Sequence, residues 1–231
     1  MFDVDGTLVK SLAVEARCFP RACEDGLGIS GVSNDWGGYR HPTDAGIVAE
    51  LAERHLNRPA RAEDFEKVEQ RLLQLLKEAF ANQPCEEVPG ARRAFQRAAQ
   101  LPSTVIAIAT GGWRTTARLK LQTAGFELAE TVLASAHDAA TKREIMEIGR
   151  KRLLQERRMD AFASMTYVGD SAGDAHAADA LGFHFIGMDT SGFLPDAAHR
   201  FENFTDHDAF FDIVLKIQDS AHDPEAMSLR E

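Results

Sequence analysis

Cysteine is scarce in this chain. Its 231 residues include three, Cys18, Cys23 and Cys85, and no two stand at C-x-x-C spacing. A sparse, odd set excludes a disulfide framework and reads as reduced thiols in a cytosol, so a cytoplasmic protein is expected. A buried free cysteine ordinarily packs as a small apolar side chain, so no catalytic thiol is expected. No apolar run approaches the roughly 18 residues that span a bilayer. No basic stretch followed by an apolar one opens the chain, so neither a signal peptide nor a membrane partner is expected. A basic stripe is missing too, which argues against a nucleic-acid partner. None of the eight histidines pairs at metal-ligand spacing, and residues such as His55 and His199 are expected at the surface or in packing. Internal repeats and low-complexity segments are absent.

Acid is in excess, with a formal net charge of -10. An anionic substrate therefore meets mild long-range repulsion, and its site must supply local positive charge from a metal, a lysine or backbone amides. The remaining composition is that of an ordinary globular chain.

Short apolar, β-branched runs occur at 104–110, 131–135, 165–168 and 183–188. Helical patterns separate them near 114–124, 142–158 and 173–181. Strands alternating with helices predict a parallel sheet with helices on both faces. Residues 11–84 differ. Ile47, Val48, Leu51, Ala52 and Leu56 recur at helical spacing, as do Phe65, Val68, Leu72, Leu75, Leu76, Ala79 and Phe80. The expectation is an α/β core domain of residues 1–10 and 85–231 carrying an inserted all-α domain of residues 11–84. Pro20 should kink or break the first helix of that insert. The polar end from about Asp219 should fray. Only Met1 and Phe2 precede Asp3, so either the first strand is very short or the true start lies upstream.

Four segments carry chemistry. In Phe2-Asp3-Val4-Asp5-Gly6-Thr7-Leu8, two carboxylates at a strand end converge once Gly6 turns the chain. One can attack phosphorus and the other can serve as acid and then base. The second segment ends a strand at Thr110-Gly111-Gly112, where a hydroxyl and free amides can bind phosphate oxygens or simply cap a helix. The third, Thr141-Lys142-Arg143-Glu144, has capping-box spacing and places two cations against a helix dipole. A nearby anion would offset that cost, although a solvated pair is the plainer reading. The fourth, Gly169-Asp170-Ser171-Ala172-Gly173-Asp174, again ends a strand in carboxylates. Magnesium takes oxygen ligands, and Asp3, the Asp5 carbonyl and Asp170 can supply three, with Asp174 as a ligand or a holder of its waters. Asp170 or Ser171 can also cap a helix. Strand carboxyl ends share one edge of a parallel sheet, so all four segments converge.

From Phe2 to about residue 188, in this order, the segments resemble the motifs of the haloacid dehalogenase superfamily. The resemblance implies a Rossmann-like core with an α-helical cap and a phosphatase that works through an aspartyl phosphate and Mg²⁺. By position, Asp3 matches the nucleophile, Asp5 the acid/base, Thr110 the phosphate-binding hydroxyl and Lys142 the basic residue, with Arg143 as its competitor. Asp170 matches the metal ligand and Asp174 the second acidic position. Haloacid dehalogenases and phosphonatases lack an aspartate at the place of Asp5. The β-phosphoglucomutases usually carry Glu-Asp where this chain has Gly169-Asp170. Gly-Asp-Ser-x-x-Asp with Ala177-Ala178 is more similar to phosphoglycolate phosphatases and pyrophosphatase-like members.

A small phosphorylated metabolite is therefore the expected substrate, with phosphoglycolate the leading candidate. Trp36 to Asp44 joins two helices of the insert, and there Arg40 and His41 are candidates to hold the substrate's carboxylate or hydroxyl. In the plainer reading this is a connecting loop with Thr43 as helix N-cap. A phosphomutase or pyrophosphatase of the same superfamily, and a non-catalytic binding module on the same fold, are the alternatives. A monomer or homodimer is expected.

Overall fold

A computed structural model describes residues 1–128, 131–190, 194 and 197–220. Its named strands pair in parallel. Strand β1 (Ala107–Ala109) pairs with β2 (Val132–Ala134), and β3 (Thr166–Gly169) pairs with β4 (His184–Met188), which pairs with β5 (Arg200–Phe201). The first three residues join the two halves. Phe2 bridges Ile108 on one side and Val168 on the other. The Phe2 amide donates to Ala107 O and the Ala109 amide to Phe2 O, both at 2.9 Å. On the other side the Asp3 amide donates to Val168 O and the Val168 amide to Met1 O, again at 2.9 Å. The opening segment, Met1 to Asp3, is thus paired on both edges.

Side chains alternate across this sheet, and each face buries its own apolar cluster. Ala107, Ala109 and Tyr167 pack with Ile145, Met146 and Leu153 of α6 (Lys142–Arg157) and with Ala177 and Ala178 of α7 (Ala172–Ala180). Phe2, Ile108 and Val168 pack on the opposite face. That face is covered by Phe95 of α4 (Ala91–Gln100), Leu121 of α5 (Arg114–Thr123) and Phe210 and Phe211 of α8 (His207–Ser220). The Phe2 and Phe95 rings lie 5.4 Å apart at a tilt.

Between Val9 and Val88 the chain is helical. It forms α1 (Leu12–Leu27), a 3₁₀ turn at Trp36–Gly38, α2 (Asp44–Leu56) and α3 (Ala62–Asn82). Helix α1 runs unbroken through Pro20, so of the expected kink or break the break does not occur. The missing proline N–H costs one hydrogen bond, but the helix packs extensively on α3 and buries Phe19, Ala22, Cys23 and Leu27. Gly26 makes the contact close, because a Cβ there would lie 2.7 Å from Val68 Cγ2. The described strands are shorter than the apolar runs predicted, and Asp219 lies inside α8. The rest of the expected frayed end, from residue 221, lies outside the described residues. No described helix is long and apolar enough to cross a membrane.

Candidate active site

Asp3 leaves the sheet at the carboxyl edge of the central segment and is buried. Thr110 follows β1 and Asp170 follows β3, the strands that flank it. The sheet therefore delivers three of the expected residues to one place by register alone.

Lys142 arrives from the first turn of α6. Thr141 caps that helix, its hydroxyl accepting from the Glu144 amide at 3.3 Å. Lys142 Nζ donates to Asp3 Oδ1 at 2.8 Å and lies 2.9 Å from Asp174 Oδ1. Arg143 is exposed, so the anion that offsets the helix dipole belongs to Lys142. The Lys142 ammonium also stands 5.6 Å from the centroid of the buried Tyr167 ring.

Asp174 has two duties. Its Oδ2 accepts from the Asp170 and Ser171 amides at 3.2 Å, while Ser171 Oγ accepts from the Asp174 amide at 3.1 Å. This capping box starts α7 and at the same time aims Oδ1 at the cluster. One carboxylate oxygen from each of Asp3, Asp170 and Asp174 lies within 4.8 Å of the others. Burial pushes the Asp3 carboxyl up to about 6, against the opposing charge of Lys142. Burial and the charges of Asp174 and Asp3 hold the Asp170 carboxyl well above the usual range. Three acids with one ammonium between them form an all-oxygen donor set short of positive charge, which fits a small hard divalent cation. Gly6 has φ +74°, and a Cβ on it would lie 2.0 Å from Asp170 Oδ2. Only glycine allows both the turn and the approach of that carboxylate.

Thr110 is buried, and its hydroxyl accepts from the Gly112 amide at 3.2 Å. The hydroxyl proton is then free to point elsewhere. Gly111 lines the same cavity, of about 310 Å³, as Asp3, Asp5, Thr110, Lys142 and Asp170.

The Asp5 side chain is held apart from the carboxylate cluster of Asp3, Asp170 and Asp174. Ser11 Oγ donates to its Oδ1. Lys120 Nζ donates to its Oδ1 and Oδ2 at 2.6 and 2.7 Å, and to Glu15 Oε1 at 2.7 Å. Burial alone would lower the Lys120 pKa, but the charges of Asp5, Glu15 and Asp44 outweigh it and raise it above the ordinary lysine value. Burial likewise raises the Glu15 carboxyl, against Lys120, and pushes Asp44 well up, reinforced by the charge of Glu15. Asp44 Oδ2 accepts from the Trp113 amide at 2.8 Å.

Sequence reasoning missed Lys120 and Glu15, although each leaves a trace. Lys120 shares the buried face of α5 with Thr116, Ala117 and Leu121. Glu15 shares the buried face of α1 with Phe19, Ala22 and Cys23. Charges of opposite sign on two apolar helix faces invite pairing.

Arg40 and His41 do not line the cavity. Arg40 is exposed and pairs with Glu53 and, at 3.7 Å, with Glu50, both on α2. His41 is exposed. Thr43 caps α2, accepting from the Gly46 amide at 3.0 Å, and its hydroxyl also donates to Ala140 O at 2.6 Å. The Asp44 amide donates to Gly111 O at 2.8 Å. On α3, Glu69 accepts from the Thr115 hydroxyl and lies 2.9 Å from His137 Nε2. The helical insert is thereby seated on the rim of the cavity.

Residues 1–182 match the family model of the haloacid dehalogenase-like hydrolases. No curated protein matches the chain. Solved structures show the same fold. A hydrolase from Pseudomonas syringae is 18% identical over 92% of this chain and 97% of its own, with a TM-score of 0.69. CbbY from Rhodobacter sphaeroides, in complex with phosphate, is 19% identical over 88% and 92%, with a TM-score of 0.63. A predicted phosphoglycolate phosphatase from Haemophilus somnus is 16% identical over 91% and 96%, with a TM-score of 0.60.

Proposed function

Because the chain belongs to the haloacid dehalogenase-like hydrolases, we propose that it is a magnesium-dependent phosphatase that takes the phosphoryl group of a small phosphorylated metabolite onto Asp3. One observation carries this reading. Asp3 shares a carboxylate cluster with Asp170 and Asp174 and accepts from Lys142, while a further carboxylate, Asp5, stands apart on the same cavity.

Asp3, Asp170 and Asp174 would hold Mg²⁺, with the Asp5 carbonyl as the further ligand expected from the sequence. When bound, the ion would supply charge to neutralise the phosphoryl oxygens. Lys142 holds Asp3 ionised and oriented, and its remaining donor capacity faces a transferring phosphoryl group. The Thr110 hydroxyl and the Gly111 amide add donors to the equatorial oxygens. Asp3 attacks phosphorus in line and the P–O bond to the leaving alcohol breaks. Asp5 gives that oxygen its proton, then takes one from the water that attacks the aspartyl phosphate. Helices α1 to α3 act as the cap, excluding bulk water during transfer and parting for product exit.

The test is phosphate release from a panel of small esters, phosphoglycolate, sugar phosphates and pyrophosphate among them, with and without Mg²⁺. Release should require the metal, and Asp3→Asn should abolish it. Turnover retained in a clean Asp3→Asn preparation would overturn the mechanism.

A further inference from the structure

Resting on the phosphatase reading, we infer that the leaving-group end of the cavity selects phosphate monoesters whose alcohol carries hydroxyl or ammonium donors and no second anion. That end is defined by Asp5, the group that must reach the leaving oxygen. Around it the cavity is walled by Glu15, Phe19, Trp36, Asp44 and Ile47. Two of the five are carboxylates, and the other three offer apolar or aromatic surface.

A second anion on the substrate needs a cation with donors to spare. Among the described residues lining the cavity, the cations are Lys120 and Lys142. An ammonium has three N–H donors. Those of Lys120 meet Asp5 Oδ1, Asp5 Oδ2 and Glu15 Oε1. Lys142 serves Asp3 and Asp174 at the phosphoryl end. Arg40, whose guanidinium could have gripped a carboxylate, is held outside by Glu53 and Glu50. At the leaving-group end Asp5, Glu15 and Asp44 face one ammonium, an excess of acceptors. Lys120 occupies Glu15 Oε1 and the Trp113 amide occupies Asp44 Oδ2, so the second oxygen of each carboxyl favours a ligand that brings N–H or O–H groups, while a carboxylate or second phosphate finds no uncommitted cation beside them. This places a carboxylate-bearing ester such as phosphoglycolate at the bottom of the order.

Three esters on one two-carbon skeleton isolate the charge: 2-aminoethyl phosphate, 2-hydroxyethyl phosphate and phosphoglycolate. Calorimetric binding to Asp3→Asn protein with Mg²⁺ measures recognition with no chemistry. Both donor-bearing esters should bind at least about tenfold more tightly than phosphoglycolate. Asp44→Asn should narrow that gap, because it removes an acceptor without removing Lys120. Phosphoglycolate binding as tightly as 2-hydroxyethyl phosphate would overturn the inference. So would three equal affinities matching inorganic phosphate, since the alcohol would then make no contact. If the expected order appears but wild-type protein releases phosphate from none of the three or from an aryl phosphate, the phosphatase reading fails and the recognition stands.

Discussion

Lys120 Nζ grips both carboxylate oxygens of Asp5, at 2.6 and 2.7 Å, from a helix that contributes nothing else to the cavity's chemistry. A buried ammonium among carboxylates is sustained only by its partners, and the dependence is mutual. Lys120→Met should leave Asp5, Glu15 and Asp44 without a counter-charge. Unfolding in urea should show a loss of about 3–5 kcal/mol, the range for breaking one side of a buried pair. The same variant should lose roughly 10- to 100-fold in kcat as Asp5 loses its seat. Unchanged kcat would remove Lys120 from the positioning of Asp5.

Gly6 is a second point of leverage. A Cβ there meets Asp170 Oδ2 at 2.0 Å, and φ is +74°. Gly6→Ala should cost about 1–2 kcal/mol in stability from backbone strain. Its larger effect should fall on Mg²⁺ affinity, because the displaced group is a carboxylate of the cluster. Titration of Mg²⁺ against activity should show a higher half-saturating concentration, and an unchanged one would remove Asp170 from the ligand set.

Acidity and metal are linked through Asp3. Its carboxyl is pushed up to about 6 by burial, against the charge of Lys142. A raised folded pKa means the folded state binds the proton more tightly, so without metal this group adds stability as pH falls through about 6. Metal needs the ionised form. The rise in Tm on adding Mg²⁺ should therefore be larger near pH 7.5 than near pH 5. Equal rises at both would contradict a metal site built on Asp3.

Asp138 should act in the opposite sense and away from the site. It receives Arg114 at 2.8 Å, Arg152, and the Ser135 amide at 2.9 Å. Burial would raise its carboxyl, but these partners outweigh it and bring it down to about 2. A depressed folded pKa gives stability that is complete above the unfolded value near 4 and is lost as pH falls through about 2. Asp138→Asn should cost about 1–2 kcal/mol at neutral pH, with the part-exposed arginines keeping it below the full linkage value. The gap from wild type should close between about pH 4 and pH 2 in denaturant titrations.

The grouping of Asp3, Thr110, Lys142, Asp170 and Asp174 at one edge of the candidate site was legible in the sequence because each of them follows a strand or starts a helix. Asp3, Thr110 and Asp170 are fixed by strand register, and Lys142 and Asp174 by helix caps, all of them local features. The leaving-group end was not legible. Lys120, Glu15 and Asp44 stand on three different helices, and only packing of the insert against α5 brings them together. The same limit explains Arg40, whose type suited substrate binding but whose partners on α2 lie 10 and 13 residues onward. Helix α1 continues through Pro20 for a related reason, since its contacts with α3 are not local.

The seating of the insert on the rim has one more consequence. The Asp44 amide meets Gly111 O, and the Thr43 hydroxyl ends on Ala140 O. Alignment of the two lobes is thus referred to main-chain atoms of the core, which no substitution in the core can delete. A half-buried wall residue such as Trp36 supplies neither of those bonds, so a change there leaves both in place. One catalytic edge could in this way serve many alcohols over evolutionary time, with selectivity rewritten on the wall and the chemistry left in place.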